Sequence, residues 1–151
     1  MIVEQVTAQS AERLAAVHAK CFEHPWPARE FASLLPTPSS FASAVQEAGC
    51  HVAFVLVRIA ADEAEILTIG VDPECRGKGL GLALLERAEQ SVADAGAVSL
   101  FLEVNQVNEP AKALYTRAGY SEIGRRPRYY RGRDDALIFR KSLLERGQIG
   151  A

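Results

Sequence analysis

Paired cysteines are missing from this sequence. Its 151 residues carry three, Cys21, Cys50 and Cys75, an odd number at wide spacings with no CxxC. A disulfide framework is therefore not expected, and free thiols in a reducing compartment fit better. Metal-ligand spacing is missing as well. The histidines His18, His24 and His51 form no HExxH or related pattern, so no metal is expected. Long apolar runs are absent: Val52 to Val57 and Ala97 to Leu102 fall far short of the roughly 20 residues of a membrane span. The stretch Met1-Ile2-Val3-Glu4 has neither a basic start nor a long apolar core, so no secretory signal is expected and a cytoplasmic location follows. An excess of one charge is also lacking. With a formal net charge of −2, the whole chain is no electrostatic glove for nucleic acid.

What remains is an ordinary globular balance, with 48% apolar and 24% charged residues. No repeat, low-complexity tract or Gly/Ser linker divides the chain, so one domain over 1–151 is expected. Ile2 to Val6 reads as a strand. Ser10 to Ala19 reads as a helix with Leu14, Val17 and His18 at helical spacing and Ser10 as its cap. The segment from Cys21 to Pro27 cannot be regular helix, because Pro25 and Pro27 lack donors and restrict their predecessors. Ala28 to Leu35 is a short helix ended by Pro36.

Ser40 to Glu47, His51 to Ala60 and Ala64 to Val71 then read as an antiparallel meander, with turns at Gly49 and over 61–63. Gly79 to Ala95 is a helix with Leu80, Leu84, Ala88 and Val92 on one face. Glu86, Arg87, Glu89 and Gln90 lie mostly off that stripe. Gly96 closes it. A strand over Val98 to Val104 follows, then a helix over Glu109 to Ala118 capped by Asn108. Strands over Tyr120 to Gly124 and Ala136 to Lys141 complete the order βααβββαβαββ. The expected class is mixed α/β, with a partly antiparallel central sheet flanked by helices.

The most informative stretch is Val71-Asp72-Pro73-Glu74-Cys75-Arg76-Gly77-Lys78-Gly79-Leu80-Gly81. A strand ends, a Pro-containing turn follows, and three glycines lead into a helix. Glycines let a ligand approach the backbone closely, and outward N–H groups at a helix start attract anions, phosphate above all. Arg76 and Lys78 add positive charge. A P-loop would need Ser or Thr after Lys78, and the dinucleotide fingerprint GxGxxG would need glycine where Leu82 stands. Both are excluded. Taken alone, the glycines fit a simple turn that starts a helix better than they fit an anion site.

Arg76-x-x-Gly79-x-Gly81 after Val71-x-Pro73 resembles the acyl-CoA signature of the GNAT acetyltransferases. A second signature of that family is similar to Asn108-x-x-Ala111-x-x-Leu114-Tyr115-x-x-x-Gly119-Tyr120, about 30 residues further on. The resemblance covers nearly the whole chain. Within the family, four stretches resemble the members that acetylate the N-terminal alanine of a small-subunit ribosomal protein: 21–26, 65–71, 102–104, and 128–130 with 135–137. Cys75 stands where a larger side chain is common, and the tail beyond Lys141 carries no such signature.

The resemblance implies acetyl-CoA as cosubstrate and a protein N-terminus as acceptor. It also implies backbone contacts to the coenzyme from Ile69, Gly70 and Val71, and a pyrophosphate grip from Arg76, Gly77, Lys78, Gly79, Leu80, Gly81 and Leu82. Asn108 is implied at the pantetheine arm, Glu103 as general base and Tyr115 as the acid that protonates the leaving thiolate. A small-molecule amine as acceptor, or a catalytically silent acyl-CoA-binding module, would share both signatures.

The residues themselves leave several of these roles open. Alternation along Leu100-Phe101-Leu102-Glu103-Val104 puts Glu103 beside Phe101 on one face, with the leucines and Val104 on the other. By itself Glu103 fits a strand-end carboxylate reaching solvent or an arginine better than one held in a cleft. Tyr115 on a helix fits core packing, and Asn108 fits a helix cap. The segment 125–133 holds five arginines with Tyr129 and Tyr130. It fits the lip of a peptide groove, which the resemblance favours, then a solvated hairpin balanced by Asp134 and Asp135, and last an RNA contact. Trp26 fits the same groove or a packing anchor.

Overall fold

The apolar run Val52 to Val57 becomes the spine of the sheet, buried on both faces of its strand. The computed structural model describes residues 1–130 and 132–144. In chain order it contains β1 (Val3–Gln5), α1 (Ala11–Cys21), α2 (Ala28–Leu34), β2 (Ser40–Glu47), β3 (Cys50–Ala60), β4 (Glu63–Val71), α3 (Leu80–Asp94), β5 (Ser99–Asn105), α4 (Glu109–Arg117), β6 (Ser121–Tyr130) and β7 (Asp134–Ser142). Short 3₁₀ turns precede α1 and α3. The strands form one sheet in the order β1-β2-β3-β4-β5-β7-β6. Every neighbouring pair is antiparallel except β4 and β5, which α3 connects in parallel. The expected element order and the mixed, partly antiparallel sheet are both present.

Two apolar layers cover the sheet. Leu14 and Val17 of α1 and Phe31 of α2 pack on Ala42, Ala44, Phe54 and Leu56. Leu80, Leu84, Leu85, Ala88 and Val92 of α3 pack on the opposite face with Val55, Val57, Leu100, Leu102 and Val104. Leu84, without exposed surface, is a position where truncation to alanine would cost about 2–5 kcal/mol.

Three local expectations change. Ser10 stands at the α1 N-cap, but its side chain makes no capping bond, because a 3₁₀ turn over Ala8–Ser10 already leads into the helix. Glu89 is fully buried rather than off the α3 stripe. Lys141 Nζ and the Tyr120 hydroxyl, each at 3.0 Å, supply the charge and hydrogen bond that a buried carboxylate requires. The strand expected to end at Gly124 runs on to Tyr130. Pro127 is tolerated there because β6 is an edge strand. Among the described residues, no helix is long and apolar enough to cross a membrane. Arg131 and the tail from 145 to 151 lie outside the described residues.

Candidate active site

The one parallel pair of strands is where the sheet opens. β4 and β5 pair only over Glu63–Glu65 and Ser99–Phe101, yet β4 continues to Val71 and β5 to Asn105. A bulge produces the divergence. Leu56 faces Thr68 and Val57 faces Ile66, so Leu67 is an extra residue that bends β4 away.

Beyond the bulge, the Asp72 N–H donates to the Val52 carbonyl at 2.7 Å. Antiparallel alternation then turns the backbone groups of Gly70 and Thr68 towards β3, and leaves those of Ile69 and Val71 facing the gap. Gly70 is required for this close course. A Cβ there would meet the Phe54 ring at 2.9 Å and Cys21 Sγ at 3.0 Å.

At the end of β4 the chain turns on Asp72, whose carboxylate accepts from the Glu74 N–H at 3.0 Å and from Lys20 at 3.3 Å. Those contacts, the Glu74 bond foremost, hold its carboxyl below the usual range. Arg76 Nε donates to the Val71 carbonyl at 3.2 Å. Gly77 and Gly79 adopt left-handed φ of 84° and 81°, and a Cβ at either would meet no atom within 4 Å. Gly79 is the N-cap of α3 and has no side chain to offer, so the N–H groups of the first turn, at Leu80, Gly81 and Leu82, lack intrahelical partners.

That combination of open space, free donors and helix dipole fits a phosphate anion. Leu80 contributes backbone only, since its side chain is buried in the core. Lys78 is partly committed elsewhere, 3.4 Å from Glu47. Gly81 lets α3 and α4 touch, as a Cβ would approach Leu114 Cδ2 at 3.0 Å.

Glu103 and Tyr115 occupy opposite faces of the sheet. Glu103 is half-buried on the face away from α3, with Leu102 and Val104 on the other. Its carboxylate pairs with Arg126 at 3.1 Å. Tyr115 is 6% exposed among the rings of Tyr120 and Phe139. Burial, then the nearby Tyr130 phenol, push its pKa up, so it stays protonated throughout the neutral range. Tyr130 is itself raised, by burial first and then by the Glu103 carboxylate and Tyr129. Tyr130 is thus within electrostatic reach of both groups. Asn108 caps α4, its Oδ1 accepting from the Ala111 N–H at 3.2 Å.

Tyr129 and Tyr130 reach this position through a second bulge. Arg126 opposes Ala136 and Tyr130 opposes Asp134, so β6 carries extra residues between them. Arg128 there has φ 51°, and its N–H donates to Asp135 at 2.9 Å. Asp135 also pairs with Arg125 at 3.0 Å. The Arg126 guanidinium lies 5.4 Å from the Tyr129 ring centre. Trp26, across the sheet face, is half-buried against His18 and Phe31.

The profile described as the Acetyltransferase (GNAT) family matches residues 11–120. The chain belongs to the GNAT acetyltransferase family. This GNAT chain is 36% identical over 129 residues to the [Ribosomal protein bS18]-alanine N-acetyltransferase of Escherichia coli strain K12, covering 82% of this chain and 86% of that protein. It is also 36% identical over 132 residues to the N-alpha-acetyltransferase RimI of Mycobacterium tuberculosis, covering 83% and 82%. The crystal structure of the E. coli ribosomal-protein-S18-alanine N-acetyltransferase superposes with a TM-score of 0.85 at 29% identity, over 93% of this chain and 92% of that one.

Within this GNAT acetyltransferase, Ile69 to Val71 and Glu103 lie on the two parting strands and the 76–82 loop follows the end of β4. Arg126 joins Glu103 to the Tyr129 ring, Tyr130 lies within electrostatic reach of Glu103 and Tyr115, and Asn108 and Trp26 serve as helix cap and ring anchor. The arginine partner allowed for Glu103 is Arg126, and Asp135, read as balancing the arginines, pairs with Arg125 and accepts the Arg128 N–H; which arginine, and the β6 bulge, had no local spacing to reveal them. Asp72 was legible in principle, because Asp before Pro is a turn signal whose side chain bonds the backbone two residues on.

Proposed function

We propose that this enzyme transfers the acetyl group of acetyl-CoA to the N-terminal alanine amine of a small-subunit ribosomal protein, by direct attack in a ternary complex. One observation carries the reading: β4 parts from β5 beside the Glu103 carboxylate and ends at a loop of free backbone donors, while a buried, protonated phenol lies on the opposite face of the sheet. The names of the similar enzymes supply the acceptor. A ribosomal-protein acceptor supports a cytoplasmic location.

In this scheme the 76–82 loop grips the coenzyme's pyrophosphate, and the backbone of Ile69 to Val71 aligns its pantetheine arm. The Val71 N–H, facing the gap, polarises the thioester carbonyl. An α-ammonium group, with pKa near 7.7–8.0, must lose a proton before it attacks, and Glu103 accepts that proton directly or through water. The amine nitrogen then bonds to the acetyl carbon, the carbon–sulfur bond breaks, and Tyr115 protonates the departing thiolate; the second proton that the nitrogen sheds on becoming an amide returns to the Tyr115 phenolate through solvent, and Glu103 releases the first to bulk water. Tyr129, Tyr130 and Trp26 flank the acceptor on the Glu103 face.

A covalent acyl-enzyme is unnecessary. Burial pushes the Cys21 thiol up to about 11, which leaves it un-ionised at neutral pH. Cys75 packs partly against the core on the turn before the loop.

The test is acetyl-CoA turnover, read as released thiol, against free peptide N-termini and small amines. The panel includes an alanine-initiated ribosomal peptide and its N-blocked control. Turnover with the free alanine peptide and none with the blocked one is expected. Turnover with small amines only would overturn the protein acceptor and retain the acetyl transfer.

A further inference from the structure

His18 is 2% exposed, and no step above uses it. The Trp26 backbone N–H donates to its Nδ1 at 3.1 Å. An amide N–H can only donate, so Nδ1 carries a lone pair and the ring proton sits on Nε2. Nε2 lies 3.1 Å from Thr68 Oγ1, and the Nε2–H therefore donates to that hydroxyl. Thr68 belongs to β4, immediately before Ile69, whose backbone faces the gap. Around the imidazole stand the rings of Phe22 at 4.3 Å, Trp26 at 5.4 Å, and Phe31 and Phe54 at 5.5 Å. Burial pushes the His18 pKa down to about 4, in keeping with a neutral ring locked as one tautomer.

The segment held in this way has little else to define it. Residues 22–27 form no helix or strand, and Pro25 and Pro27 bring no donors. We propose that His18 is a positioning residue for the acceptor side of the site: its Nδ1 anchors the Trp26 backbone, and its Nε2–H ties that anchor to β4 beside the gap. This rests on the reading of the Glu103 face as the acceptor's. His18 sets the acceptor wall and leaves the 76–82 loop untouched.

Two substitutions separate this role from plain core packing. His18→Asn and His18→Gln both remove the ring, but the Asn amide oxygen reaches the place of Nδ1, whereas the Gln amide nitrogen reaches that of Nε2. The acceptor-peptide KM is expected to rise about tenfold in His18→Gln, as when a buried N–H loses its partner, and to stay within about threefold of wild type in His18→Asn. The acetyl-CoA KM should stay within about twofold in both, because uniform binding of the coenzyme is not touched.

Trp26 is the sole tryptophan, so its emission reports the segment directly. It should shift to the red and become more open to acrylamide in His18→Gln, and stay near wild type in His18→Asn. The inference is overturned if the two variants behave alike in both readouts, or if the acetyl-CoA KM rises as much as the peptide's. Should neither variant fold, Thr68→Val removes only the Nε2 acceptor and keeps the Nδ1 anchor. Like His18→Asn, it should leave the Trp26 emission near wild type and the peptide KM within about threefold, and a red shift with an about tenfold rise in the peptide KM would overturn the proposal. Failure of the acceptor reading has a different signature, a wild-type chain inactive on every free N-terminus. The emission of the two His18 variants still reports the anchor in that case.

Discussion

The two sides of the gap are built by different means. The loop from Val71 to Leu82 is backbone architecture: two left-handed glycines, an uncapped helix start and one Asx turn, all within a dozen consecutive residues. The opposite side is assembled from side chains on α1, β4, β5 and the β6–β7 hairpin. Its contacts span tens of residues, such as His18 to Thr68 and Glu103 to Arg126. A site of backbone amides suits a ligand that never changes, because it offers shape and partial charge with few side chains to vary. A site of side chains suits an acceptor that must be chosen. The two should respond to substitution independently.

The largest effect is expected on the side-chain side. Glu103→Gln should lower peptide turnover by about 10²–10⁴-fold, the usual worth of a general base, with acetyl-CoA KM unchanged in steady-state kinetics. Turnover that survives across a pH series would move the base elsewhere. Tyr115→Phe keeps the ring between Tyr120 and Phe139. It should cost about 10²-fold in kcat through the lost proton donor, with little change in melting temperature. A large fall in melting temperature would instead mark Tyr115 as a packing residue.

Next comes a pH effect confined to the ring cluster. His18 has a folded pKa of about 4 against an unfolded value of 6.5, so between those values the unfolded chain binds the extra proton. Its contribution is complete above pH 6.5 and is lost as pH falls towards 4. The loss amounts to roughly 3 kcal/mol at about 1.4 kcal/mol per unit. Denaturant midpoints of wild type and His18→Asn across that range should converge as the pH drops; parallel curves would remove His18 as the titrating group.

The smallest effect belongs to the glycine loop. Gly79→Ala places a Cβ at φ 81° with no steric neighbour, so only backbone strain of about 1 kcal/mol is expected. The acetyl-CoA KM should rise roughly fivefold for that energy, with the peptide KM unmoved. An equal rise in both would abolish the distinction between the two sides.

Much of this was legible from consecutive residues. The meander, the α3 stripe, the Gly96 stop and the Asn108 cap each depend on side chains within one or two turns or strands of one another, and the structure contains them all. The alternation that set Glu103 apart from Leu102 and Val104 was equally local. Reading failed where a partner lay far along the chain. Glu89 looked like a surface residue of α3 until Lys141 and Tyr120 reached it, and β6 looked finished at Gly124 until Asp135 accepted the Arg128 N–H.

By itself, then, the sequence determined the element order, the glycine-rich turn into α3 and the face of β5 that carries Glu103, because each arises from propensity, periodicity or turn chemistry acting over a few residues. Only the tertiary structure decided that β4 parts from β5 at Leu67, that Arg126 meets Glu103, and that His18 carries its proton on Nε2. Those features depend on which strands become neighbours and on which donor a buried acceptor finds, and both are settled by packing across the whole sheet.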